Sequence, residues 1–436
     1  MRINKDKISY LLIRIFIFPF QWMPYPLLRL FGKGLGILGY YFLRDFRKRA
    51  LSNLALAKDL SLSFTECKKM ARRSFTNLAI NCLEYGKFYK EKNLDQIVVC
   101  ENPEEANKIY SQGKGIVFFC GHQSNWEVLF LDGTRRMRGT AIGKAIKNKR
   151  LYYWILKIRQ RFGGSIITPT NAFRHSLKAL KQGIFLGIVG DQGMPDSGYS
   201  FPFLGRKAWT SPLPALLSIK TQSPIIVATT KRAKHGYRIH YSDPIWPDLS
   251  LPIEKEMKRL MDHSLTLLQE SIKRSPAEWL WQHNRWKQQT PRNIYKRFRK
   301  DSILIILPQE EKPFSNLLKH LPTFRLIYPS DFLFLMVPEK KEKEAFPIEV
   351  DEIFLYARKR DLLLKDFRFK LIYNFSRYRH LKKHYLKLSV YNVYSEEDLI
   401  SFAKNYLPKS YDLSDILKRS ICRPGSLWHM EENASQ

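Results

Sequence analysis

The run Gly121-His122-Gln123-Ser124-Asn125-Trp126-Glu127 places an imidazole and a carboxylate five positions apart, directly after the apolar stretch Gly115 to Cys120. On one continuous helix, side chains at that spacing point about 140° away from each other. They converge only if His122 sits in the loop that ends a strand and Glu127 in the first turn of the following helix. There Glu127 would hold one ring nitrogen, fix the tautomer and stabilise the imidazolium, and the other nitrogen would take a proton from a hydroxyl. No serine or cysteine nucleophile is needed. The spacing alone fits a second reading equally well: a capping Ser124, a packed Trp126 and a half-buried structural histidine.

A second polar run, Gly190-Asp191-Gln192-Gly193, follows the apolar stretch ending at Val189, and the aromatic turn Phe201 to Arg206 comes soon after. These residues suit a pocket wall or an ordinary loop. The five cysteines, Cys67, Cys82, Cys100, Cys120 and Cys422, are widely spaced and contain no C-x-x-C pair. They read as reduced core thiols. The histidines are scattered without ligand spacing, so no metal site is expected.

The elements that must position these residues follow from the apolar rhythm. Residues 65 to 89 carry a helical stripe of Met70, Phe75, Leu78, Cys82 and Tyr85. Beyond it, β-like runs at 115–120, 140–146, 165–170, 183–189, 223–230 and 237–241 alternate with amphipathic stretches of helical length at 125–135, 148–162, 172–181, 212–221 and 254–273. This alternation predicts an α/β domain, a central mixed sheet flanked by helices. In open α/β sheets ligands gather at the carboxyl ends of strands, where both polar runs fall.

The chain has 436 residues, 44% hydrophobic and 14% aromatic, which excludes a disordered protein. Seventy-four Lys and Arg against forty Asp and Glu give a net charge of +34. The excess is uneven: no carboxylate lies between Asp132 and Asp191, while thirteen Lys and Arg run from Arg135 to Lys181. Such a field favours anionic partners.

From Ile8 to Leu43 the chain is mostly apolar, but Arg14, Arg29 and Lys33 interrupt it and Pro19, Pro24 and Pro26 break helical continuity. The uncharged stretch from Ile15 to Leu28 falls short of the roughly 20 residues that cross a bilayer core. Basic flanks and interfacial aromatics such as Trp22, Tyr40 and Tyr41 mark residues 1–50 as a membrane-anchoring segment, either spanning once or lying in the interface. The positive flanks and reduced thiols place the body on the cytoplasmic side.

Taken in order, these pieces resemble the lipid A biosynthesis acyltransferases, the lauroyl and myristoyl transferases within the H-x-x-x-x-D/E glycerolipid acyltransferase superfamily. The resemblance spans residues 8–290. It includes Asn53-Leu54, Glu84, Gly121-His122 through Trp126-Glu127, Arg161 to Gly164, Asp191-Gln192, Phe203 to Arg206 and the tryptophan-rich Pro276 to Lys287. It implies that His122 is the general base and Glu127 its acidic partner. It also implies an acyl-acyl carrier protein donor, a membrane glycolipid acceptor of the Kdo-lipid IVA type, and work at the bilayer surface of the inner membrane without nucleic acid or a cofactor. Among substrate-binding residues, Arg161 is the expected cation for the oxyanion, with Asn125, Asp191 and Gln192 in supporting polar roles. Trp279, Trp281 and Trp286 are expected to pack or anchor.

The expected division is residues 1–50 as anchor and basic flank, 51–295 as acyltransferase domain, and 301–436 as an additional small α/β carboxyl-terminal domain of unknown role. In that last part strands are expected at 302–307, 324–328, 352–356, 369–373 and 386–391, with helices at 314–321 and 396–406. Two other functions compete with the resemblance. One is the same chemistry on a glycerol-phosphate or other glycolipid acceptor; the other is a non-catalytic basic protein that binds membrane or nucleic acid.

Overall fold

A computed structural model describes residues 5–91 and 93–425. The chain divides into two compact units. The first comprises Met1–Arg44, Ala57–Ser61 and Lys68–Arg285, the second Asp45–Leu56, Leu62–Cys67 and Trp286–Gln436.

The helices in chain order are α1 (Lys5–Ile17), α2 (Tyr25–Phe42), α3 (Arg44–Leu56), α4 (Phe64–Lys90), α5 (Glu104–Ser111), α6 (Glu127–Arg136), α7 (Lys149–Arg159), α8 (Ala172–Lys181), α9 (Leu213–Thr221), α10 (Ile253–Arg274), α11 (Glu311–Ile327), α12 (Leu381–Leu386), α13 (Glu396–Ala403) and α14 (Leu413–Ile421). The first unit's strands are β1 (Val98–Cys100), β2 (Val117–Cys120), β3 (Gly139–Ile142), β4 (Ser165–Ile167), β5 (Phe185–Val189), β6 (Ser200–Phe203), β7 (Arg206–Trp209), β8 (Ile225–Ala233) and β9 (Gly236–Tyr241).

Seven of these strands form one sheet in the order β1-β9-β8-β2-β5-β3-β4. It is mixed because only β8 and β9 run antiparallel. A βαβ crossover can only return a strand parallel, whereas the short turn between Ala233 and Gly236 makes a hairpin. All four residues of β2 are buried, as expected of a central strand covered on both faces. The strands and helices expected in this region are all present with modest changes at their ends.

The second unit carries β10 (Ser302–Ile306), β11 (Phe332–Pro338), β12 (Glu352–Tyr356), β13 (Leu371–Asn374) and β14 (Asn392–Ser395). They pair in the order β12-β11-β10-β13-β14, and every pair is parallel. Two strand expectations change here. Residues 324–327 continue α11 beyond Pro322, with Tyr328 as its cap, since burial of Phe324 and Ile327 in the unit's core outweighs the hydrogen bond a proline removes. The strand expected at 386–391 begins later, at Asn392, because α12 occupies Leu381–Leu386. The strand at Phe332–Pro338 and α14 were not foreseen.

Among the described residues no helix is long and apolar enough to cross a membrane. The expected anchor is a pair of amphipathic helices, α1 and α2.

Candidate active site

The site forms where β2 and β5, hydrogen-bonded neighbours, end side by side. A Cβ at Gly121 would lie 2.9 Å from Asp191 Oδ2, so only glycine lets the loop after β2 approach the loop after β5 this closely. His122 then reaches Asp191 twice. Its backbone N–H donates to Oδ2 at 2.7 Å, and its Nδ1 lies 2.7 Å from Oδ1. The Trp279 indole donates to Oδ2 at 2.6 Å. Burial by itself would raise the Asp191 carboxyl, but the imidazole and these donors outweigh it and hold Asp191 well below the ordinary carboxylate range. An ionised carboxylate only accepts, so Nδ1 carries a proton, and in the neutral imidazole this tautomer leaves the lone pair on Nε2.

The loop is clamped on three sides. Gln123 bridges to Trp279, Ser124 N–H donates to Glu278 O at 2.7 Å and Leu280 N–H to His122 O at 2.9 Å. From α10, Ser271 exchanges two 3.0 Å hydrogen bonds with the Gln123 amide. From α4, Asn77 and Asn81 both donate to Ser124 O. Ser124 has a φ of 49°, a left-handed conformation that costs free energy in a residue with a Cβ and persists because these bonds over-determine it.

Glu127 opens α6 and is nearly buried, yet no hydrogen bond joins it to His122. Instead Arg159 grips both of its oxygens, Nε to Oε2 at 2.8 Å and Nη2 to Oε1 at 2.5 Å. The expectation that Glu127 holds a ring nitrogen is therefore corrected in the structure: Asp191 occupies that place. Burial raises the Glu127 carboxyl, but Arg159 first, then Tyr85 and His122, bring it below its usual value. Glu127 thus stays charged beside the imidazole without touching it.

Arg161 is also placed differently from expectation. It donates to Phe88 O and packs on Phe162, away from the cavity. Arg159 is the last residue of α7, on its inward face, whereas Arg161 lies in the turn that follows and no longer shares that face. Asn125 donates to Glu84 Oε2 at 2.8 Å, inside a buried polar network with Tyr237 and Arg232, and stiffens the start of α6 from behind. Gln192 does reach the site, its amide nitrogen 3.4 Å from His122 Nε2.

His122, Glu127, Arg159 and Gln192 line a cavity of about 660 Å³ whose remaining wall is mostly apolar. Phe118 and Cys120 of β2 and Phe185, Gly187 and Val189 of β5 line it at every second position, so it lies along one face of the sheet. From Val189 back to Phe185 this face runs about 13 Å.

Sequence reasoning missed Arg159, the donor role of Trp279, and Arg285. Arg285 is fully buried, and its guanidinium donates to Trp209 O at 3.0 Å, Thr210 Oγ1 at 2.8 Å and Gln192 O at 3.5 Å, tying down the Asp191–Gln192 loop. Burial lowers it to about 10, with the Asp191 charge opposing that shift. The signal for Arg159 was present: it lies on the stripe of Leu151, Ile155 and Ile158, the face of α7 that packs inward.

Residues 2–288 match the bacterial lipid A biosynthesis acyltransferase family. The chain belongs to this family. It is an acyltransferase of lipid A biosynthesis. Among its relatives, the lipid A biosynthesis palmitoleoyltransferase of Escherichia coli (strain K12) is 24% identical over 275 residues, covering 61% of this chain and 86% of the relative. The lipid A biosynthesis lauroyltransferase of the same organism is 21% identical over 282 residues, covering 63% and 90% respectively. The acyltransferase match thus ends at the start of the second unit's long segment, Trp286–Gln436.

Proposed function

We propose that this acyltransferase moves a fatty acyl chain from an acyl-acyl carrier protein thioester to a hydroxyl of a lipid A precursor of the Kdo-lipid IVA type, at the cytoplasmic face of the inner membrane. His122 Nε2 removes the hydroxyl proton and the oxygen attacks the thioester carbonyl. The tetrahedral intermediate collapses, the C–S bond breaks, and the departing sulfur takes the proton from the imidazolium. Asp191 keeps the proton on Nδ1 and stabilises the imidazolium between the two transfers, as a buried acid does for a catalytic histidine elsewhere. Glu127 assists at one remove, through its charge and by aiming Arg159 at the cavity, where the guanidinium, with Lys144 on the same wall, offers positive charge to a developing oxyanion. The acyl chain lies along the sheet face toward Phe185.

One observation carries this reading: an imidazole fixed at Nδ1 by a buried aspartate, with its other nitrogen at an apolar cavity of acyl-chain dimensions. The carboxylate-free basic stretch from Arg135 to Lys181 suits a phosphorylated acceptor and an acidic carrier protein. The test is mass spectrometry of a lipid A precursor incubated with membranes containing the protein and a set of acyl-carrier-protein thioesters. A single acyl mass increment that disappears in His122→Ala is expected. No increment with any donor, followed by transfer to a glycerol phosphate or another glycolipid, would replace the acceptor.

A further inference from the structure

The helices α1 and α2 leave one broad apolar face uncovered. Along α2, Leu27, Leu30, Phe31, Leu35, Leu38 and Phe42 fall at helical spacing on one side and are all exposed. On α1 and the turn after it, Leu12, Ile15, Phe16, Phe18 and Trp22 extend this apolar surface, with Leu12 at 62% and Ile15 at 69% exposure. Soluble proteins seldom display so many large apolar side chains together. No acidic residue occurs in α2, while Lys5 on α1, Lys33 on α2 and Arg44 at the start of α3 are exposed, and Lys90 lies 4.0 Å over the Trp22 ring.

The opposite face of α2 is already committed. Leu28, Gly32, Gly36 and Tyr40 are buried, and a Cβ at Gly36 would sit 2.4 Å from Thr76 Cα, one at Gly32 2.5 Å from Ile80 Cγ1. These two glycines let α2 lie directly on α4, backbone close to backbone. Arg29 adds donors to Ala233 O at 2.7 Å and Lys234 O at 2.6 Å, at the turn between β8 and β9. On α1, Ile17 is buried and packs at Gly86, and Asn148 donates to Asp6 O and Ser9 Oγ, both at 2.9 Å. The same α4 that seats α2 also supplies Asn77 and Asn81 to the His122 loop and Ser74 to Trp279 O. A bilayer crossing would strip α2 from α4. With 18 residues, α2 is about 27 Å long, and α1 is shorter still, against a hydrocarbon core of about 30 Å.

We infer that α1 and α2 form a monotopic, in-plane membrane-binding surface for an anionic phospholipid leaflet: the outward stripe enters the headgroup and acyl boundary, the basic residues meet lipid phosphates, and the chain does not cross the bilayer. The inference rests on the membrane location proposed above but not on the acyl-transfer chemistry, because its readouts are binding and sidedness. In flotation with vesicles of equimolar phosphatidylcholine and phosphatidylglycerol, the full chain binds, and Leu30→Glu/Leu38→Glu weakens partitioning about 100-fold with the fold retained, since both side chains are exposed. In sealed inverted membrane vesicles, single added cysteines at Lys5, Pro24 and Arg44 all react with an impermeant maleimide from the outside, above the background of the parent. Protection of Lys5→Cys or Pro24→Cys while Arg44→Cys reacts would mean a spanning helix and overturn the inference. So would vesicle binding unchanged by the double substitution, or no vesicle binding by the parent. Binding without acyl transfer would remove the proposed reaction and leave this surface standing.

Discussion

In the first unit β2 lies beside β5, in the second β10 lies beside β13, each pair parallel, yet the two carboxyl edges carry different chemistry. After β2 and β5 come His122 and Asp191, the latter buried with three donors on its carboxylate. After β10 and β13 come Glu310 and Arg377, an exposed pair at 3.4 Å with side chains 43% and 68% accessible. The nearby Asn374 side chain is spent on its own loop, accepting from Ser376 and donating to Tyr378 O. At the opposite edge, just before its strands, the second unit buries three ionisable side chains: Asp301 before β10, Asp331 before β11 and Lys370 before β13, with Lys370 Nζ 2.6 Å from Asp301. A parallel sheet offers a place for chemistry at its carboxyl edge. The place becomes a site only where a titratable group is desolvated and its charge compensated.

Substitutions that break this contrast should differ in size. The largest effect is expected from His122→Ala, about a 10³-fold loss of kcat, read as acyl product per unit time with vesicle-bound acceptor. Glu127→Gln leaves Arg159 buried beside a neutral partner and is expected to cost about 10²-fold, with Arg159→Lys, which keeps the charge and loses the two-pronged grip, costing about tenfold. A split in the opposite sense, with Arg159→Lys the more harmful, would shift the main role from the carboxylate to the guanidinium. Gly187→Leu sharpens the contrast from within the cavity. A Cβ there meets Ala141 Cβ at an ordinary 3.4 Å, so the longer side chain occupies the cavity. Donor competition should then show preference moving about 10- to 100-fold toward shorter acyl chains.

The smallest effect on catalysis, none, is expected at the second unit's amino edge. Burial raises the Asp331 carboxyl to about 7, with the Thr290 hydroxyl opposing that shift. A carboxyl unfolds to an ordinary value of about 4, so its contribution to stability is whole below about pH 4 and is lost as the pH rises through about 7. Asp331→Asn should remove that loss, raising unfolding free energy at pH 8 by about 1–3 kcal/mol and leaving pH 4 stability little changed. Urea unfolding at the two pH values measures it, and equal gains at both would mean the carboxyl is not the cause.

Much of this was legible in the residues, and the gaps have physical reasons. The strand-loop-helix passage through His122 and Glu127 was readable because apolar runs and polar breaks are local. The imidazole's hydrogen-bond partner was not, because Asp191 lies 69 positions away and becomes a neighbour only when β2 and β5 pair. Glu127 was the nearest carboxylate in sequence, and sequence proximity stood in for spatial proximity. Arg161 was expected because the family resemblance contains it, while Arg159, on the inward stripe of α7, was not considered. The expected helix ended at residue 321, just before Pro322, since the burial that carries α11 past it depends on tertiary packing. Gly32 and Gly36 lay inside an apolar stretch, and their close approach to α4 had no signature apart from the four-residue spacing.

The measurement that bears most directly on the account is kcat for Asp191→Asn under saturating donor and acceptor. Asparagine keeps the size of the side chain but removes the ionised acceptor that fixes the proton on His122 Nδ1. The account predicts a fall of about 10²- to 10⁴-fold with KM for both substrates and membrane binding unchanged. A kcat within a few-fold of the parent would contradict it, and would return the imidazole's support to Glu127.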